Sequence, residues 1–206
     1  MEKPIAEACL RNQEPIAAAL EQLLTQPARV LELGSGTGQH AVYVGRRLPH
    51  LTWQPTELPE ALPGIRAWLA DSGLTNVLAP LALDVRAREW PVTGPFDAVF
   101  TANTLHFVGW AVVEALFAGV EKVLRGGGIF CAYGPFNEDQ QYTSEGNRQL
   151  DLWLQSRDPD SGIKDRQDIM DRAAEYGLIF EQDVAMPANN RILVFRRSEA
   201  SDRSNG

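Results

Sequence analysis

The chain has 206 residues, 44% hydrophobic, 22% charged and 8% aromatic, with a formal net charge of −8. That length fits one domain with a substantial core, and the acidic balance disfavours nucleic acid, whose phosphates are met chiefly by Lys and Arg. No apolar run approaches the ~20 residues of a membrane span, and Glu2, Glu7, Arg11, Glu14 and Glu21 interrupt any signal-peptide core. A cytoplasmic protein that acts on a small molecule, with no nucleic-acid or membrane partner, is the expectation. The two cysteines, Cys9 and Cys131, are far apart and form no metal or redox motif, so no metal is expected; Cys131 falls in an apolar run and reads as a buried free thiol.

In chain order, Ile16, Leu20, Leu23 and Leu24 give the spacing of an N-terminal helix, an extension over residues 1–27. Residues 28–33 form a short apolar strand that runs into a glycine cluster, and Ala41, Val44 and Leu48 follow at helical spacing. Residues 51–56 read as the next strand. Ile65, Trp68 and Leu69 mark a helix face that Gly73 stops. Residues 77–83 and 96–101 read as two further buried strands. A strongly periodic helix carries Val113, Leu116, Phe117, Val120, Val123 and Leu124, ends at Gly126-Gly127-Gly128, and leads to a strand over 129–133. Residues 137–164 are long for a connection, and Leu150, Trp153 and Leu154 predict a helix within them, a natural lid beside a site. A helix with Ile169, Met170 and Ala173 precedes strands at 178–184 and 192–197. The short turn between those two requires an antiparallel pair. Residues 198–206 are polar and read as a disordered tail.

Alternating strands and helices argue for an α/β domain over residues 1–197, with a parallel sheet covered on both faces. Five such units and a terminal hairpin make the seven-stranded, Rossmann-like plan of class I methyltransferases. The turn itself reads Glu32-Leu33-Gly34-Ser35-Gly36-Thr37-Gly38. A dinucleotide fingerprint has the spacing G-x-G-x-x-G and seats a pyrophosphate on the helix N-terminus. Here the spacing is G-x-G-x-G, and Gln39 stands where the third dinucleotide glycine would fall. S-adenosylmethionine (SAM) carries no phosphate, so its turn need not cradle one. Glu32 would place a carboxylate near the cofactor's cationic methionine end. Glu57, with Leu58 beside it, ends the second strand, where a carboxylate accepts from ribose hydroxyls. Asp84 could accept from the adenine amino group while the Val85 N–H donates to a ring nitrogen. Each acid alone could be a solvated strand-end residue; three at successive strand ends point to a nucleoside, with S-adenosylhomocysteine (SAH) the product of transfer.

With these residues in view, the chain resembles the methyltransferase-like protein 26 family, from about Arg11 to Arg196. The carriers are Arg11-Asn12 with Pro15-Ile16, the glycine turn with Gln39-His40, and Trp53-Gln54-Pro55-Thr56-Glu57. Beyond these stand Leu83-Asp84-Val85, Asn103 with His106, Tyr133-Gly134-Pro135-Phe136, Arg157-Asp158-Pro159 and Met186-Pro187-Ala188-Asn189-Asn190. The resemblance implies the fold and SAM, and implies no substrate. It also implies that Arg11 and Asn12 fold over the cofactor, with Arg11 near its carboxylate; a solvated helix face is the alternative.

Ligands of an open parallel sheet bind beyond the carboxyl ends of its strands. Asn103 follows the fourth strand, Tyr133 ends the fifth, and the turn with Asn189 and Asn190 emerges at the same edge. All four are expected to converge near the cofactor's methyl group. Tyr133, Asn189 and Asn190 are the candidate acceptor contacts, although Tyr133 could simply pack and the two amides could serve a turn. His106 is the candidate general base, with a backbone-bonded histidine as the alternative. Asn103 and Tyr133 complete the candidate catalytic set; His40 and His50 read as structural. No Asp-Pro-Pro-Tyr-type motif follows the fourth strand. Two rival functions stay open: a non-catalytic SAM-binding module, and an NAD(P)-dependent oxidoreductase, against which the missing glycine and the hairpin count.

Overall fold

The structure, a computed structural model, describes residues 3–199. One sheet holds β1 (Ala28–Leu33), β2 (Leu51–Glu57), β3 (Leu81–Ala82), β4 (Phe96–Ala102), β5 (Leu124–Pro135), β6 (Leu178–Met186) and β7 (Asn190–Arg197). Their order is β3-β2-β1-β4-β5-β7-β6. The first five are parallel, and β7 runs antiparallel to both β5 and β6. The expected mostly parallel sheet with a terminal hairpin is therefore the observed one.

Alternation along the strands sorts side chains into two cores. Leu31, Leu33, Val99, Phe130, Leu193 and Phe195 face α4 (Trp110–Val123) and α6 (Arg166–Glu175). On that side Phe130 stacks on Phe195 at 5.9 Å and meets Phe117 edge-on at 6.1 Å. Val30, Ala98, Phe100, Cys131, Ile192 and Val194 face α1 (Glu7–Leu23) and α2 (Gln39–Arg47) on the other. Each large side chain so buried contributes about 1.5–3 kcal/mol. The expected N-terminal helix is thus a full layer element: Ile16, Ala17 and Leu20 of α1 are completely buried. The rim of that layer is α3 (Leu62–Ser72), closed by left-handed Gly73 as its sequence predicts.

Two elements depart from the sequence reading. The strand expected over 77–83 is split into a single bridge, Trp53 to Val77, and the two residues of β3. Pro55 and Pro80 remove two ladder donors between the pieces. The Gln54 side chain fills the gap, its Nε2 donating to the carbonyls of Pro55 (3.0 Å) and Ala79 (2.9 Å). The Trp-Gln-Pro sequence is thus a splice in the sheet. The second departure is the run Gly126-Gly127-Gly128, which does not follow the helix as a loop. It lies inside β5, where the register against β4 shifts between Phe96 and Ala98. Gly127 is left-handed (φ 70°), so the run is an irregular start to the strand.

The insertion carries its expected helix, α5 (Glu145–Arg157), capped by the Ser144 hydroxyl, which accepts from the Asn147 N–H at 3.0 Å. Leu154 is buried, but Trp153 is 46% exposed beneath the Arg157 guanidinium, so α5 does not bury Trp153 against the domain. Of the expected tail, Ser198 donates its N–H to the Gly177 carbonyl (2.9 Å), and residues 200–206 lie outside the described residues. No helix among the described residues is long and apolar enough to cross a membrane. Cys9 and Cys131 are both free, and burial pushes the Cys131 thiol up to about 12.

Candidate cofactor and active site

Chain direction fixes where a ligand can sit. From β1 the chain crosses to β2 on one side, while β4 lies on the other, so the carboxyl ends of β1 and β4 flank a crevice. The glycine turn fills its floor, with Gly34, Gly36 and Gly38 at φ 69°, 55° and 87°. A Cβ on Gly38 would stand 2.9 Å from Ile65 Cγ2, so that glycine allows α2 to start against α3. Gly36 is different: a Cβ there would meet nothing within 4 Å. Its backbone faces open space, as a turn that receives a ligand must.

Glu57 braces this turn. Its two carboxylate oxygens accept from the Gly36 N–H and the Leu58 N–H, each at 2.8 Å. Those bonds aim the carboxylate while leaving lone pairs on both oxygens. Beneath the turn, Glu32 is 1% exposed and accepts from Ser35 Oγ (2.8 Å) and Trp53 Nε1 (2.9 Å). Burial lifts its carboxyl to about 7 against the pull of both donors, and the Glu57 charge adds to the rise. Glu32 is therefore a support under the turn and lies outside the wall of the crevice.

The crevice opens into a cavity of about 690 Å³. Its wall is Pro4 and Ala6 before α1 with Ala8 and Cys9 in its first turn; residues 34–37 and His40; Glu57, Glu60, Ala61 and Gly64; and Ala102 at the end of β4 with Asn103, Thr104, Phe107 and Val108 after it. Among the described residues the wall contains two carboxylates, Glu57 and Glu60, and no Lys or Arg. The volume suits a nucleoside-sized ligand.

Helix α1 is tied to the turn by a polar chain. His40 Nε2 lies 2.7 Å from Asn12 Oδ1, a contact that puts the proton on Nε2 and leaves Nδ1 facing Cys9 Sγ at 3.9 Å. Burial lowers the His40 imidazole to about 4. The Ala6 N–H and the Thr37 hydroxyl both donate to Gln39 Oε1, at 2.7 and 2.8 Å. The Gln39 amide nitrogen is buried without a partner. Burial raises the Tyr133 hydroxyl above its ordinary value, against the pull of the nearby Asn12 amide. His40 thus bonds within the protein, and it also lines the cavity. His50 bonds the Leu24 carbonyl (2.8 Å) at the end of α1. Arg11 is exposed and stands outside the wall.

Of the residues expected to converge at the far edge, Asn103 is in the wall. It is left-handed (φ 54°), and its N–H donates to the Tyr133 carbonyl at 2.9 Å. His106 lies behind the wall, 4% exposed, while its neighbours Phe107 and Val108 line the cavity. Burial, then the nearby Lys164 charge, lower it to about 4. Lys164 is buried too; its ammonium donates to the Val108 carbonyl and to the Gly162 carbonyl (2.9 Å), and desolvation brings it to about 8. Tyr133 is 5% exposed. Asn189 and Asn190 do emerge at this edge, since Asn190 pairs with Pro135, but neither lines the cavity. Asn189 has φ 57°, and the Asn190 amide donates to the Pro187 carbonyl at 3.1 Å, both marks of a turn. Asp84 holds Arg86 at 2.6 Å, which keeps its carboxyl below the usual range; Asp84, Val85 and Leu58 stand outside the wall. No residue of 137–164 lines it either. Thr104, Phe107 and Val108 were not expected in the site; only their place in the segment that follows β4 could have flagged them.

The family model described as protein of unknown function (DUF938) matches residues 3–197. The chain belongs to that family. Among solved structures it is similar to an O-methyltransferase family protein from Burkholderia thailandensis, with a TM-score of 0.81 at 18% identity over 95% of this chain and 59% of that one. It is also similar to the mitomycin 7-O-methyltransferase MmcR (TM-score 0.81, 16% identity, 93% and 54% covered). A third, PigF with SAH, has a TM-score of 0.77 at 18% identity, covering 88% and 54%. The chain thus spans little more than half the length of these proteins. At such identities the likeness is one of fold: this DUF938 chain has the Rossmann-like fold of methyltransferases.

Proposed function

We propose that the protein is a SAM-dependent methyltransferase acting on a small molecule. The carrying observation is the open face of Gly36, with Glu57 bonded to its N–H, at the crevice between β1 and β4. In this reading the backbone of Gly34, Ser35, Gly36 and Gly38 receives the cofactor and Glu57, beside Leu58, meets its ribose. Glu32 supports the turn from below. Asp84 and Val85 lie toward the adenine, and Arg11 and Asn12 toward the methionine end, as the resemblance to methyltransferase-like protein 26 implies. A wall without Lys or Arg suits a cofactor without phosphate better than a dinucleotide. The two free thiols fit a reducing, cytoplasmic setting.

SAM, when bound, supplies a methyl group on a sulfonium, a good leaving group for in-line displacement. The chain's task is then alignment and exclusion of water. Asn103 stands in the wall to orient an acceptor, Tyr133 is buried near the end of β5, and Asn189 and Asn190 rim the same edge. His106 is neutral near pH 7, the form a base requires, but it does not line the cavity that Phe107 and Val108 face. Calorimetry with SAH and NADH tests the reading: SAH should bind, and binding of NADH alone would overturn it. The burial of His106 also favours a second reading, a non-catalytic SAM-binding protein. That one predicts SAH binding with no label passed from methyl-labelled SAM into any component of a metabolite extract.

A further inference from the structure

We infer that the acceptor is uncharged or cationic and flat, and that it lies against Phe107 and Val108 at the β4 end of the cavity. This rests on the methyltransferase reading above. The cavity has two chemically distinct ends. Glu57 and Glu60 sit at the β2–α3 end, where Glu57 is already committed to the glycine turn. The other end is lined by Asn103, Thr104, Phe107 and Val108 and carries no charge. An anion placed there would face two carboxylates across the cavity; among the described residues no cation lines the wall, and the nearest one behind it, the Lys164 ammonium, is spent on the Val108 and Gly162 carbonyls.

Phe107 combines exposure with a place in the cavity wall. It is 48% exposed, while Leu105 and His106 beside it are buried, and its ring stands 4.6 Å from the His106 ring. An exposed aromatic ring at a cavity mouth offers a flat apolar face at little conformational cost. Its backbone is pinned at both ends. Asn103 N–H is bonded to the Tyr133 carbonyl and Gly162 N–H to the His106 carbonyl, both at 2.9 Å, and the Lys164 ammonium holds the Val108 carbonyl. That support comes from the insertion: Asp151, 3% exposed, accepts the Ile163 N–H at 2.6 Å, one residue before Lys164. Residues 137–164 therefore act on the acceptor through the wall they hold, not as a lid over it.

Tyramine, tyrosol and 4-hydroxyphenylacetate share a hydroxyphenyl ring and carry a cation, no charge and an anion. Their binding to the SAH-saturated protein, measured by calorimetry, tests the inference. Tyramine and tyrosol should bind, and 4-hydroxyphenylacetate about tenfold more weakly or not at all. Phe107→Ala, at an exposed position, should weaken tyramine and tyrosol by about tenfold more than it weakens SAH. Equal binding of the anion overturns the inference, as does unchanged phenol binding in F107A. So does absence of binding by all three to a protein that holds SAH. Loss of SAH binding itself would instead sink the reading on which the inference rests.

Discussion

Gly36 and Asn12 show how much a single position carries. Ala at Gly36 keeps a left-handed backbone at about 1–2 kcal/mol of strain, and its methyl enters space where nothing stands within 4 Å. G36A should therefore stay folded and lose SAH affinity by about tenfold or more. Calorimetry on the folded variant decides it: unchanged affinity means the ligand does not rest on the turn. Asn12→Leu removes the acceptor 2.7 Å from His40 Nε2 and strands a buried imidazole N–H. The expected cost is about 1–3 kcal/mol, read as a lower denaturation midpoint; no change would mean that His40 finds another partner.

Among the elements, α4 is held by a close approach. A Cβ on Gly119 would fall 1.9 Å from Trp90 Cζ2, so the indole lies directly on the helix backbone. Gly119→Ala improves helix propensity yet should destabilise by about 1–3 kcal/mol through overpacking. The double variant with Trp90→Leu should recover most of that loss in thermal melts; failure to recover would place the strain elsewhere. The elements legible in the sequence are those whose periodicity and burial agree. Val113, Leu116, Phe117 and Val120 announce α4, and 28–33 and 96–101 announce β1 and β4. What misled are residues whose role is set across the sheet. Gly128 is required by the Asp97 carbonyl, 2.9 Å from where its Cβ would be, and Gln54 replaces donors missing from two prolines. The site divides the same way. The turn and Glu57 could be read because strand, glycines and acid are close in sequence. That His106 faces inward while Phe107 and Val108 face the cavity depends on the short 3-10 turn Leu105–Phe107 and on Lys164, 58 residues beyond His106, which no local pattern encodes.

For the whole molecule, three buried groups shape how stability follows pH between about 4 and 7. Glu32, raised from 4.5 to about 7, contributes stability that is complete below 4.5 and lost as pH rises through about 7. His40 and His106, lowered from 6.5 to about 4, do the reverse: their contribution is present above 6.5 and lost as pH falls through about 4. Between those limits the two histidines outweigh the one carboxyl, leaving a net uptake of one proton on unfolding. Stability should then rise by about 1.4 kcal/mol per pH unit from these groups. Denaturation at several pH values between about 5 and 6.5 measures the slope, and His106→Gln should flatten it, because Glu32 and His40 then cancel. An unaltered slope in H106Q would place the titration elsewhere.

The first turn of α1 is also one wall of the cavity, and through Ala6 and Asn12 it is bonded to Gln39 and His40. Solvent exchange of the amide hydrogens from Cys9 to Asn12 is thereby coupled to the cavity's contents. Any molecule resting against Ala8 and Cys9 must slow it, whatever its chemistry, since those amides exchange only when that turn frays. The helix that covers one face of the sheet thus also reports whether the cavity is occupied.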